Sequence, residues 1–302
     1  MAEEKGAQTA IEDPRNHDLW IWLNGALVKR AEALVSIFDA GFGLGDGVWE
    51  GIRMAKGRLV LVDDHLDRLY EGANTIALDI GLTKPQMKAA LEELCAANAI
   101  TDGGHIRLMV TRGEKHTVHQ DPRNALGRPT IAITAEFKLP DPEIKKSGIK
   151  LFTSSFRTSG PDSFDLHLNS HSRLNFIRPL LQAIAAGAHE ALMLDPAGFV
   201  ASCNSTNFFI VKRGEVLTST GRTCFKGITR RKVIELCGKE GIACRETDFT
   251  LAEVYNADGA FVTGTFGGIT PVRSLDGRSI GAALPCPLTQ RLSDLYDRTF
   301  LN

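Results

Sequence analysis

The chain has 302 residues, a formal net charge of −1, 43% hydrophobic and 24% charged residues. That suits two ordinary globular domains and supplies no field to draw nucleic acid or a membrane surface. No apolar run approaches the roughly 18 residues that span a bilayer, the polar start lacks the apolar segment of a signal peptide, and six scattered cysteines without a Cys-x-x-Cys pair fit reduced thiols, so a cytoplasmic protein is expected.

Residues 1–18 read as a disordered lead-in. Trp20–Val28 alternates around Asn24-Gly25, a hairpin signal, and Ala33–Phe38 reads as a further strand. Residues 41–53 then hold five glycines in thirteen positions, a backbone that turns tightly and approaches something closely, although a plain loop between strands has the same pattern. Beyond the Lys56-Gly57 turn, Asp64 reads as the N-cap of a helix carrying Leu66, Leu69 and Ala73 at helical spacing. Thr83 caps a second helix with Pro85 in its first turn. His105–Thr111 and Thr130–Glu136 read as strands, and the polar stretch Gly113–Gly127 between them has the length of a functional or mobile loop. Residues 19–136 are therefore an α+β domain. Residues 137–147, with two prolines, are the expected linker to a second domain over 148–302.

The second domain opens on a strand, Ile149–Ser155. Further on, Leu174, Ile177, Leu180, Leu181 and Ile184 share one helical face. Glu190–Leu194, Phe199–Cys203, Asn207–Lys212 and Val216–Thr218 read as short strands. Gly227-Ile228-Thr229 leads into a helix, Leu251–Asn256 is a short helix, Ala260–Thr263 a strand, and Leu288–Tyr296 the last helix. No metal site is expected, because nothing acidic or thiolate accompanies His167 and His171 at ligand spacing.

Two glycine-flanked threonine turns have a chemical look. Gly227-Ile228-Thr229 offers backbone N–H groups and the positive end of a helix dipole, a seat for phosphate, and Gly264-Thr265 adds a hydroxyl after a strand. A threonine cap and an ordinary turn explain them equally well, and neither matches a Walker or dinucleotide pattern. Arg68 on its helix reads by itself as a solvated arginine.

Together, Asn24-Gly25, Phe38-Asp-Ala-Gly-Phe-x-x-Gly-Asp-Gly-Val-Trp-Glu50, His65-Leu-Asp-Arg68-Leu, Glu190-Ala-Leu-Met-Leu-Asp-x-x-Gly-Phe-Val, Asn207-Phe-Phe-Ile-Val, Gly227-Ile-Thr-Arg and Phe261-x-Thr-Gly-Thr resemble the class IV aminotransferases, the fold type IV pyridoxal-phosphate enzymes, from about Trp20 to Arg273. That group includes branched-chain and D-amino-acid aminotransferases and aminodeoxychorismate lyase. The resemblance implies a two-domain α+β fold with a C-terminal pseudo-barrel, a homodimer, and pyridoxal 5'-phosphate as cofactor. It implies that Arg68, Ile228, Thr229 and Thr265 hold the cofactor phosphate, with Asn207 and Ser202 beside the ring, and that amino acids and 2-oxo acids, branched-chain ones by default, are the substrates. Phe42 and Trp49 would add apolar surface on the substrate side, and Arg112 and Arg123 are candidates for a carboxylate.

The chain departs from that pattern at two places. Aligned with an Asp-Pro-Arg-x-Lys run, the Schiff-base lysine position holds Asn169; aligned with a His-x-Lys-Leu-Asn run, it holds Arg173. The two alignments reach one place only if the segment is helical, where four residues make about one turn. Arginine cannot replace the amine, since a guanidinium stays charged. Lys150 and Lys226 are the nearest other lysines. Ser202 stands where most members carry a glutamate that keeps the pyridine nitrogen protonated. Three readings follow: an aminotransferase-type enzyme with its lysine replaced, an enzyme of this fold doing lyase or hydrolytic chemistry without that covalent link through His167, His171 or Arg173, and a non-catalytic binder of a phosphorylated ligand.

Overall fold

A computed structural model describes residues 6–301, and their contacts fall into two units. The N-terminal unit is Ile11–Leu139 together with Leu168–Arg173, and the C-terminal unit takes the described residues up to Ala10, Pro140–His167 and the chain from Leu174 onward. The lead-in is placed from Gly6 on: Ala7 is buried, Asp13 caps a 3₁₀ turn over Pro14–Asp18, and only residues 1–5 of that expectation lie outside the described residues.

In the N-terminal unit, β1 (Trp20–Leu23) and β2 (Ala26–Lys29) form the expected hairpin, with Asn24 at φ 50° and Gly25 at φ 96°, the two positive values that a twist-matched two-residue turn demands. No strand forms over 33–38. A 3₁₀ turn at Arg30–Glu32 redirects the chain, and Leu34, Val35 and Ile37 stay exposed. The glycine stretch is not one loop but α1 (Ala40–Leu44), capped by Asp39 and ended by left-handed Gly45, followed by β3 (Gly47–Ala55). Then come β4 (Arg58–Leu59) and α2 (Val62–Thr75), which starts after Leu61, so Asp64 sits in its first turn and is not its cap. α3 (Lys84–Ala97) carries the Thr83–Gln86 capping box, and β5 (Gly104–Thr111) and β6 (Thr130–Phe137) complete an antiparallel sheet ordered β2-β1-β6-β5-β3-β4. Strand alternation sends Ile52, Ile106, Leu108 and Ile133 to the face that Leu66, Leu69, Met87 and Leu91 cover from α2 and α3. Trp49, Arg53, His105 and Arg107 lie half-buried on the other face. The loop over 113–127 folds back on itself, with Leu126 N–H on the Glu114 carbonyl and a bridge between Lys115 and Ala125.

The C-terminal unit begins within the stretch read as a linker, where Asp141 caps α4 (Pro142–Ser147). In order follow β7 (Ile149–Arg157), α5 (Leu174–Ala185), β8 (Glu190–Leu194), β9 (Val200–Cys203), β10 (Asn207–Lys212), β11 (Glu215–Thr218), α6 (Ile228–Lys239), β12 (Cys244–Glu246), α7 (Leu251–Tyr255), β13 (Gly259–Gly264), β14 (Gly268–Leu275), β15 (Arg278–Ser279) and α8 (Pro287–Tyr296). The sheet runs β12-β11-β10-β13-β14-β7-β8-β9, with β15 on β14. β9 returns beside β10 through a tight turn in which Cys203 N–H donates to the Thr206 carbonyl at 2.9 Å, so the sheet curls as the pseudo-barrel expectation requires. Leu151, Phe208, Ile210, Val262 and Val272 pack on one side of it. Phe209 stacks on Phe261 on the other, under Val233 of α6 and Leu292 of α8. The shared face of α5 is the difference: the helix buries Phe176, Pro179 and Ala183 and leaves Leu174, Ile177, Leu181 and Ile184 47–70% exposed. No helix among the described residues is long and apolar enough to cross a membrane.

Candidate functional site

The two threonine turns lie in the C-terminal unit. Gly227 is the N-cap of the twelve-residue α6 and supplies no side-chain cap, so the first-turn N–H groups of Ile228 and Thr229, both buried, have no capping acceptor and point their dipole at whatever lies before the helix. The turn is held by Asn207 on β10: its Oδ1 accepts Gly227 N–H at 3.1 Å, and its Nδ2 donates to the Phe225 carbonyl at 2.6 Å. A Cβ at position 227 would fall 2.3 Å from Asn207 Oδ1, so any larger residue there would displace the amide that holds the turn. Asn207 pairs in register with Thr263 of β13, whose buried hydroxyl has no partner. Thr265 is half-buried in the turn that follows β13.

Ser202 lies beside this frame on β9. Its hydroxyl donates to the Thr206 carbonyl at 2.8 Å, and Asn207 Nδ2 lies 3.4 Å from its oxygen. Thr206 in turn donates its hydroxyl to Glu190 Oε2 at 2.7 Å, while Glu190 Oε1 is buried without a partner. Burial pushes the Glu190 carboxyl up to about 7, and the Thr206 and Ser205 hydroxyls pull the other way. Lys226 is exposed, with its Cε 3.1 Å from where a Cβ on Gly221 would stand, and the Gly221 carbonyl accepts from His167 Nε2 at 2.8 Å. Lys150 lies on β7.

The segment 168–173 belongs to the N-terminal unit, and it is not helical; α5 starts at Leu174. Asn169–His171 instead run antiparallel to the start of β3. Trp49 N–H donates to the Asn169 carbonyl at 3.0 Å, Asn169 Nδ2 to the Trp49 carbonyl at 2.6 Å, and His171 N–H to the Gly47 carbonyl at 2.9 Å. His171 Nε2 adds a bond to the Val48 carbonyl at 3.1 Å, and burial pushes that imidazole below its ordinary pKa. The condition for treating Asn169 and Arg173 as one position is therefore not met: four residues of extended chain span about 13 Å, against about 6 Å on a helix. The Asn169 side chain is buried, with one end fixed on backbone and Oδ1 unpartnered.

Around the same strand stands a group that sequence spacing did not reveal. Glu50 is fully buried and takes Arg68 Nε and Nη2 at 2.7 Å each and His65 Nδ1 at 2.7 Å. Burial raises the Glu50 carboxyl, but the charge and hydrogen bonds of Arg68 and the bond from His65 outweigh it and hold the group below the ordinary carboxylate range. Its signal was a charge in the buried phase of the Val48-Glu50-Ile52 alternation. Two of the three Arg68 nitrogens are thus engaged within its own unit. The guanidinium carbon of Arg107 lies 3.9 Å from the Trp49 ring centroid, and that of Arg173 lies 5.4 Å from it. Burial, then the charges of Arg107 and Arg68, lower Arg173 to about 10. Two guanidiniums beside one indole offer paired positive charge to an oxyanion. Arg112 and Arg123, singled out for that task from the sequence, are engaged elsewhere: Arg112 grips Asp46 with two nitrogens, and Arg123 grips Asp121 on the surface. Phe42 is 76% exposed on α1.

Comparison with known proteins agrees with this geometry. Residues 47–275 match the amino-transferase class IV family. A putative branched-chain-amino-acid aminotransferase of Methanocaldococcus jannaschii is 39% identical over 91% of the chain and 94% of its own length. The branched-chain-amino-acid aminotransferase-like protein 2 of Arabidopsis thaliana is 37% identical over 94% of the chain, which spans about half (51%) of that relative's length. A branched-chain aminotransferase of the archaeon Thermoproteus uzoniensis, solved with norvaline, superposes with a TM-score of 0.84 at 32% identity, covering 93% of this chain and 94% of that one.

Proposed function

Since the chain belongs to the class IV aminotransferases, we propose that it is an aminotransferase-like protein that holds a pyridoxal-phosphate-type cofactor by its phosphate and ring and makes no covalent link through the segment 169–173. Class IV aminotransferases use pyridoxal 5'-phosphate, and the phosphate end of that cofactor fits. The carrying observation is the uncapped start of α6, where Gly227, held by Asn207, leaves the Ile228 and Thr229 N–H groups to an anion. The unpartnered Thr263 hydroxyl beside Asn207 is a further polar group suited to a ring or phosphate oxygen. The carbonyl end of the cofactor does not fit in the same way. No lysine occupies Asp165–Asn175, and Asn169 is buried with its amide on the Trp49 carbonyl.

When bound, the cofactor supplies an electron sink for chemistry at the α-carbon of an amino acid. The chain's own contributions are narrower. Ser202 presents a hydroxyl committed to the Thr206 carbonyl, so it does not hold a proton on the pyridine nitrogen as a carboxylate would. Arg107 and Arg173 supply paired guanidiniums for the carboxylate of an amino or 2-oxo acid, with the Trp49 indole as an apolar wall. Branched-chain amino acids are the substrates proposed, in keeping with the family and with that wall. A homodimer is proposed as well, on the strength of the apolar stripe along α5.

Calorimetric titration with pyridoxamine 5'-phosphate and with pyridoxamine tests the phosphate seat. The phosphorylated compound should bind at least about tenfold more tightly, and Asn207→Ala, which releases the Gly227 turn that presents those N–H groups, should remove most of the difference. Equal affinities would refute the seat. Borohydride treatment of the pyridoxal-phosphate complex, followed by intact mass, tests the second half of the proposal. An unchanged mass is expected, and a stoichiometric adduct on a single lysine, such as Lys226 just before the Gly227 turn, would overturn the reading that the cofactor is held without a covalent link.

A further inference from the structure

Two of the six cysteines meet where α6 faces β12. Cys237 stands seven residues after Arg230, two turns along the same face of α6. Cys244 stands two residues before Glu246, on the same side of β12. Arg230 Nη2 donates to Glu246 Oε1 at 2.5 Å, which sets these two faces against each other, and partly buried Cys244 packs against the apolar cluster that contains Cys237. The connection between them is short and fixed. Gly241 turns it at φ 65°, Ile242 N–H donates to the Cys237 carbonyl at 2.9 Å, and β12 is held in parallel register by β11 from Val216↔Cys244 onward.

The two sulfurs differ in the way a reactive pair requires. Cys237 is fully buried in the core under α6 and α8, whereas Cys244 is half-buried and open to solvent. The neighbouring Cys237 thiol and then the Arg230 guanidinium lower the Cys244 thiol against burial and the Glu246 and Glu215 carboxylates, and the Cys237 thiol is raised by the same pairing and by burial. Cys95, Cys203 and Cys224, in contrast, are pushed up by burial. A thiolate with a cation beside it, reachable by solvent, is the attacking sulfur, and a neighbouring thiol resolves its product.

We propose that Cys237 and Cys244 are a peroxide-responsive dithiol that closes to an intramolecular disulfide. The Cys244 thiolate attacks one oxygen of hydrogen peroxide; the O–O bond breaks, the leaving oxygen takes a proton as water, and a sulfenic acid forms. The Cys237 sulfur then attacks the Cys244 sulfur, the S–O bond breaks, and hydroxide leaves with the Cys237 proton as a second water. Two electrons pass from the thiols to the peroxide. The link ties the C-terminal end of α6, the helix that begins at the Gly227-Ile228-Thr229 turn, to the edge of the sheet.

Trypsin makes the test direct. Cleavage after Lys232, Lys239 and Arg245 puts the two cysteines on separate peptides, Val233–Lys239 and Glu240–Arg245. The folded chain is treated with hydrogen peroxide, unfolded, blocked with N-ethylmaleimide and digested without reductant. The expected result is those two peptides joined, separated again by dithiothreitol, with loss of blocking about tenfold faster than at Cys95. In Cys237→Ser, Cys244 should instead advance to sulfinic acid, and in Cys95→Ser the cross-link should be unchanged. Full blocking of both cysteines after peroxide would overturn the proposal, and so would oxidation of Cys244 in the unsubstituted chain without the joined peptides.

Discussion

Glu190 makes the sharpest stability prediction. Its carboxyl is 2% exposed at the start of β8, with one oxygen on the Thr206 hydroxyl and the other without a partner. Burial raises it from 4.5 to about 7. An acid whose folded value lies above its unfolded one keeps a proton that the unfolded chain has already released. Its contribution is therefore intact below the unfolded value, declines as pH rises through the window, and is flat above it. At ~1.4 kcal/mol per pH unit, the native state loses about 3 kcal/mol between those two values. Glu190→Gln keeps the shape and has no proton to lose, but leaves a buried amide N–H where Oε1 stood, at a cost of about 1–3 kcal/mol at every pH. The variant should thus be the less stable protein near pH 5 and should equal or overtake the parent above about pH 7, a crossing produced by titration and not by packing. Urea unfolding across that range, with the m-value checked for constancy, reads it out. Parallel stability curves for the two proteins would show that Glu190 does not titrate in this window and that the reasoning from its burial is wrong.

The Glu50–Arg68–His65 group should behave in the opposite sense. Its carboxyl is held below the ordinary range, so its stabilisation is present above the unfolded value and fades as pH falls through the folded one. Glu50→Gln should cost about 3–5 kcal/mol near neutrality by leaving Arg68 without its buried counter-charge, and should flatten the acid limb of a melting-temperature profile. A variant that melts with the parent would show that the group contributes nothing net. On α5, Leu181 is 60% exposed within the apolar stripe. Leu181→Glu should leave the helix intact, because its buried face is Phe176, Pro179 and Ala183, while light scattering should report a fall from twice 32.8 kDa to 32.8 kDa. A monomeric parent, or a variant that remains dimeric, would remove α5 from the interface.

What was legible in the sequence was what depends on near neighbours. Thr83 and Gln86 announce their helix because both halves of the capping box lie within one turn. Gly227-Ile228-Thr229 announces the start of α6, because a glycine before a helix leaves its first N–H groups uncapped wherever the helix sits in the fold. The segment 165–175 failed for the same reason in reverse. Its conformation is decided by hydrogen bonds to β3, about 120 residues earlier in the chain: Asn169 Nδ2 to the Trp49 carbonyl and His171 Nε2 to the Val48 carbonyl. No local spacing carries that register, and four residues read as a helical turn are an extended run. The consequence reaches the chemistry. Asn169 and Arg173 are distinct places, and two alignments of the missing lysine, which only a helix could reconcile, are two different hypotheses. Arg173 stands over the Trp49 indole near Arg107, where a lysine would be one more cation beside Arg107. Asn169 is buried against the Trp49 backbone, where a lysine would lose that bond and have to find another course. A lysine at neither position is a simple restoration, so the absence of the amine is built into how this segment lies on β3 as well as into which residues it carries.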